Sequence, residues 1–125
     1  DAGVDASVEP FIDDMAAAYA WADLIVCRAG ALTLAEVAAA GLGAILVPFP
    51  HAVDDHQTRN AEAFVTAGAA VLLQEKNIDA ATLAREIGRL VADRATLVRM
   101  GEAARSLAKP DATARIADVC LEVAA

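Results

Sequence analysis

Aromatic side chains are scarce in this chain: one Trp, one Tyr and three Phe, 4 % of its 125 residues. The hydrophobic fraction of 58 % is therefore carried by small and aliphatic side chains, alanine above all. Alanine-rich helices packed on aliphatic strands fit such a composition. Positive charge is also short, with 10 Lys and Arg against 18 Asp and Glu, a net charge of −8. That balance argues against nucleic acid as a partner and against a polybasic membrane patch of the chain's own. The apolar content is too high for disorder. Only two cysteines occur, Cys27 and Cys120, far apart and without CxxC or Cys/His spacing. They read as reduced, buried thiols of a cytoplasmic protein. Long apolar runs are missing too. The longest charge-free stretch, Val37 to Ala52, is broken by Gly41, Gly43, Pro48 and Pro50 and falls short of the ~20 residues a span needs. Signal peptide, internal repeat, linker and low-complexity segment are all absent from the pattern.

What is present is one domain's length with alternating strand and helix signals. Ser7–Ile12 reads as a short extended segment, with Pro10 favouring an edge. Asp13 or Asp14 caps a helix from Met15 to Ala22, and Leu24–Cys27 follows as a strand. Leu32 to Ala40 is a helix ended by Gly41, then Ala44–Pro48 a strand and Phe49–Asp55 a loop. His56 to Ala67 is a helix closed by Gly68, and Ala70–Leu73 a fourth strand. From Asp79 onward the pattern is helical: Asp79 to Ala92, Arg94 to Leu107, and from Pro110 to the end, with charges forming a solvated face. This order implies right-handed βαβ units and an α/β, Rossmann-like doubly wound parallel sheet.

In such sheets ligands sit at the carboxyl ends of the strands. The segments Ile12–Met15, Arg28–Thr33 and Phe49–Gln57 are expected along that rim. Within it, Cys27-Arg28-Ala29-Gly30-Ala31-Leu32-Thr33-Leu34-Ala35-Glu36 runs from strand through a small-residue turn into a helix. Unpaired backbone N–H groups and the positive helix end then face whatever lies above the strand, which suits a phosphate. Glu36, one and a half turns in, can accept from a hydroxylated group beside it; phosphate plus diol is what a nucleotide offers. An ordinary helix start with a surface carboxylate explains the same residues. Arg28 suits a diphosphate or a structural role at a strand end. His51 with Asp54 and Asp55 makes a poor metal set, and Asp13-Asp14 reads as helix capping, so no metal site is expected.

Phe11-Ile12-Asp13-Asp14-Met15, Ala20-Trp21-Ala22-Asp23, Cys27 to Thr33 with Glu36, Val47-Pro48-Phe49-Pro50-His51 and His56-Gln57-Thr58 with Asn60-Ala61 keep the order and spacing of a known family. The chain resembles the C-terminal half of the bacterial peptidoglycan N-acetylglucosaminyltransferases, GT-B enzymes of the glycosyltransferase family 28 type. The resemblance implies a hexosyltransferase that moves GlcNAc from UDP-GlcNAc, with inversion, to lipid I, the undecaprenyl-diphosphate-linked muramoyl pentapeptide, giving lipid II at the cytoplasmic face of the inner membrane. It implies that residues 1–125 are part of the donor-binding domain, while the N-terminal domain holds lipid I, the membrane-docking patch and the base. By position, Ile12 would read the uracil through its backbone. Ala31, Leu32 and Thr33 would offer N–H groups to the diphosphate and a sugar hydroxyl. Glu36 would bind the ribose hydroxyls, and Gln57 with His56 the 3- and 4-hydroxyls of the sugar. Asn60 would support the loop, and Arg28 is a further candidate at the diphosphate. No catalytic residue is expected in this chain, and no cofactor or metal at the diphosphate.

The resemblance also implies that an earlier strand with a Gly-Gly-Ser phosphate loop, and the strand and helix after it, should precede Asp1. The chain is thus expected to be a fragment, inactive alone, with an exposed edge strand that invites a dimer or swapped assembly. Alternatives are the donor-binding subunit of a split N-acetylglucosaminyltransferase, a UDP-GlcNAc 2-epimerase, a glycolipid synthase, or a flavodoxin-like regulatory module. The epimerase would carry further carboxylates, and the regulatory module an acidic pocket at the first strand end.

Overall fold

The computed structural model describes residues 3–51 and 55–124. Helix α1 is Met15–Trp21, strand β1 Leu24–Cys27, α2 Ala31–Ala40, β2 Gly43–Leu46, α3 His56–Thr66 and β3 Ala70–Leu72. A 3-10 turn, Glu75–Asn77, leads into α4 (Ala80–Val91), α5 (Arg94–Ser106) and α6 (Ala112–Ala124). The helix ends follow local chemistry. Asp14, Asp79 and Asp93 accept from the amides of Ala17, Thr82 and Ala95 at 3.0, 2.7 and 3.1 Å, each satisfying a donor that the first helical turn leaves open. Gly41 ends α2 in the left-handed region at φ 69°, its N–H returning to the Val37 and Ala38 carbonyls.

The three strands are parallel, in the order β1-β2-β3, with Ile25 opposite Ala44 and Ala44 opposite Ala70. Strand alternation divides the core into two layers. Ala44 and Leu46 face Leu34, Val37, Ala38, Ala61 and Phe64 of α2 and α3. Ile45 points the other way, onto Leu90, Leu97 and Met100 of α4 and α5. Every residue of β2 is buried, as a central strand covered on both faces must be.

Three sequence expectations change. Ser7–Ile12 is not a strand, and the described sheet has three strands, not four. Val8 and Phe11 are 92 % and 76 % exposed. The segment before α1 pairs with no strand of the described sheet, and Pro10 lacks the N–H that a ladder needs. Consequently Ile12–Met15 is a helix lead-in rather than the exit from a strand. Cys27 is half-buried, but Cys120 is exposed rather than buried. The cause is that α6 lies off the core, leaving Ile116, Val119, Leu121 and Val123 open to solvent.

Candidate functional site

The turn between β1 and α2 is the centre of the site. Gly30 is the N-cap of α2 and brings no side-chain hydrogen bond, while Leu34 is the first residue to donate back to it, at 3.0 Å. The amides of Ala31, Leu32 and Thr33 therefore have no partner within the helix. No acidic side chain stands in that first turn to neutralise the positive helix end. Ala31 and Leu32 are exposed and Thr33 half-buried. The corner is open, polar and electropositive, a fitting seat for an anion.

Two strand-end loops are joined here by one side chain. Gln57 Oε1 accepts from Ala29 N at 3.2 Å and from Phe49 N at 2.8 Å. The first amide belongs to the turn after β1, the second to the loop after β2. Its amide nitrogen faces the helix corner, 3.8 Å from where a Cβ on Gly30 would stand. The carbonyl end of Gln57 is thus committed to the backbone and the N–H2 end is turned toward the corner. Asn60, one turn further along α3, donates to the Ala29 carbonyl at 3.3 Å and supports the same turn. His56 opens α3 and is exposed.

Arg28 is engaged by the protein itself. Its guanidinium forms a two-pronged pair with Glu75 at 3.2 and 3.3 Å and donates to the carbonyls of Val47 and Pro48, both at 3.4 Å. It also lies 5.7 Å from the Phe49 ring centroid. Those contacts tie the loop after β2 to the 3-10 turn. Glu36 is exposed on the second turn of α2 and accepts a 2.7 Å hydrogen bond from the Tyr19 hydroxyl of α1. Burial and the Glu36 carboxylate push the Tyr19 phenol up to about 12. Ile12, 44 % exposed, lies in the segment that precedes α1. The structure brings Ala31, Leu32, Thr33, Gln57 and Asn60 together, sets Glu36 on the same helix as the corner, and places Ile12 in the segment before α1.

Sequence reasoning passed over Tyr19 and Glu75. A single tyrosine in a helix of alanines was the available signal for the first, since its polar tip needs a partner. Glu75 had none: its pairing with Arg28 spans 47 residues. Asp54, weighed with His51 and Asp55 as a metal set, lies outside the described residues. Among the described residues no three His, Cys, Asp or Glu gather closely enough to hold a metal ion. Nor is any helix among them long and apolar enough to cross a membrane.

The model of the glycosyltransferase family 28 C-terminal domain matches residues 2–116. The chain belongs to that family. It is 60 % identical, over 99 % of its length, to a Marinobacter nauticus protein named UDP-N-acetylglucosamine--N-acetylmuramyl-(pentapeptide) pyrophosphoryl-undecaprenol N-acetylglucosamine transferase, of which it covers 34 %. Proteins of the same name from Nitrosococcus oceani and Xanthomonas campestris pv. campestris are 63 % and 64 % identical, each over 98 % of this chain. It covers 34 % and 29 % of them. The chain thus spans about a third of the curated relatives it matches. The crystal structure of Acinetobacter baumannii MurG superposes with a TM-score of 0.86 at 46 % identity, over 93 % of this chain and 33 % of that one. The α/β fold of the family, with its parallel sheet, is therefore present.

Proposed function

We propose that residues 1–125 form part of the donor-binding domain of an inverting UDP-GlcNAc-dependent N-acetylglucosaminyltransferase acting on lipid I. The observation that carries this reading is the uncapped α2 corner with the Gln57 amide beside it and Glu36 further along the same helix. Transfer of a sugar from UDP needs the growing charge on the leaving diphosphate to be stabilised. Amides of Ala31, Leu32 and Thr33, aimed before reaction and backed by the helix dipole, supply that without reorganisation. Glu36 accepts the two ribose hydroxyls, a carboxylate's natural partners. The Gln57 N–H2, with His56 beside it, serves the 3- and 4-hydroxyls of the sugar, and backbone groups at Ile12 read the uracil. The names of the relatives favour this reading over a split subunit, an epimerase or a glycolipid synthase.

Deprotonation of the acceptor hydroxyl and docking at the cytoplasmic face of the membrane belong, in this reading, to another part of the enzyme. The open edge of β1 is where a further strand, or a second copy, would pair.

Calorimetric titration tests the donor site directly. UDP and UDP-GlcNAc are expected to bind and ADP to bind far more weakly. Glu36→Ala removes two hydrogen bonds to a charged acceptor and is expected to weaken UDP by about 3 kcal/mol, roughly a hundredfold. Equal binding of ADP and UDP, or an unaffected Glu36→Ala variant, would overturn the assignment.

A further inference from the structure

The Tyr19–Glu36 pair joins two helices, and the donor-site reading gives Tyr19 no role. Tyr19 comes from α1 and Glu36 from α2, and their side chains meet at 2.7 Å. That length is in the range of a hydroxyl donating to an ionised carboxylate. An exposed glutamate otherwise samples several rotamers and gives up that freedom when it grips a ligand. A carboxylate has about four lone-pair sites. One donor on Oε2 leaves Oε1 whole and a second position on Oε2, enough for one hydroxyl of a vicinal diol at each oxygen. We propose that Tyr19 is a positioning residue for ribose recognition: its hydroxyl holds the Glu36 carboxylate in the orientation that receives both ribose hydroxyls, and so sets the preference for ribonucleotide over 2′-deoxyribonucleotide donors. This rests on Glu36 meeting the ribose, as argued above.

Two further observations agree with it. The phenol, pushed up to about 12, stays protonated and able to donate throughout the neutral range. Tyr19 also lies on the helix that follows directly on Ile12–Asp14. One rigid element therefore connects the base-reading segment with the ribose-reading carboxylate.

The test is a comparison of UDP with 2′-deoxy-UDP, titrated into the same samples of the parent chain, Tyr19→Phe, Glu36→Ala and the double variant. Tyr19→Phe deletes only the hydroxyl. It is expected to weaken UDP about fivefold, 2′-deoxy-UDP less than twofold, and to add nothing on top of Glu36→Ala. Because each ratio is read within one sample, a reduced folded fraction does not move it. If the parent binds UDP and loses it on Glu36→Ala, but Tyr19→Phe leaves the ribo-to-deoxy ratio unchanged, the positioning role is wrong and the donor site stands. If the parent does not bind UDP, the donor site falls and the role of Tyr19 with it.

Discussion

Glu36 and Arg28 illustrate how residues of similar exposure differ in availability. Both are charged, both lie near the end of β1, and both are open to solvent. Arg28 is already paired with Glu75 and two carbonyls, whereas Glu36 meets a single neutral donor that leaves lone pairs to spare. The two thiols differ in the same way. Burial pushes Cys27 up to about 11, so it is a poor nucleophile near neutrality, while Cys120 stands on the exposed surface of α6. A chromogenic disulfide at pH 8 is expected to label Cys120 at once and Cys27 slowly, with one thiol per chain in the fast phase. Stability follows the same shift. A thiol raised in the folded state contributes fully below its ordinary value near 9 and loses that contribution as pH climbs through 11; Tyr19, raised from 10 to about 12, adds to the loss. The urea midpoint should therefore fall between pH 9 and pH 12. Glu36 stood out as a candidate from its place in the strand–turn–helix segment, and Gln57 only through the family resemblance. Tyr19 and Glu75 were not legible, because their partners are 17 and 47 residues away and spacing carries no trace of them.

At the scale of elements, helix starts and stops were readable because they are set within a few residues. Asp14, Asp79 and Asp93 accept from amides close by, and Gly41 takes the left-handed turn that ends α2. Hydrogen bonds from Thr82 and Thr96 hold Asp79 and Asp93 below the usual carboxylate range, so their capping contributes above pH 4 and is lost as pH falls through their lowered values. Whether an extended segment becomes a strand depends on pairing with a neighbour, and Ser7–Ile12 pairs with none in the described sheet. The short turn at Glu75–Asn77 was hidden for a similar reason, its place being held by the Arg28 pair. How closely helices approach is equally invisible in sequence. Where α5 crosses the end of α2, a Cβ on Gly101 would overlap the Gly41 carbonyl oxygen. That oxygen belongs to the backbone and has nowhere to go. Gly101→Ala is expected to lower stability by about 1–3 kcal/mol, read as a shifted denaturation midpoint, whereas Gly88→Ala meets open space and adds helix propensity.

The molecule as a whole is three layers with β2 at the centre: α2 and α3 on one face, α4 and α5 on the other. That arrangement was legible because alternating strand and helix patterns admit few topologies. Which outer surfaces stay uncovered was not, since exposure of Val8, Phe11 and the apolar side of α6 depends on what packs against them. Hydrogen exchange should show the gradient. Amides of Ile45 and Leu46 are expected to exchange slowest, through global unfolding only, and those from Gly3 to Asp13 fastest, with β1 between them. Rapid exchange in β2 would mean that the two core layers are not one cooperative unit.

The doubly employed oxygen of Gln57 has a mechanical corollary. A latch shared by two hinges gives them a common fate: releasing the turn after β1 also unfastens the loop after β2, so mobility at both lips should rise and fall in concert. Any ligand resting on either lip would then slow the breathing of the other, with no signal needing to cross the sheet.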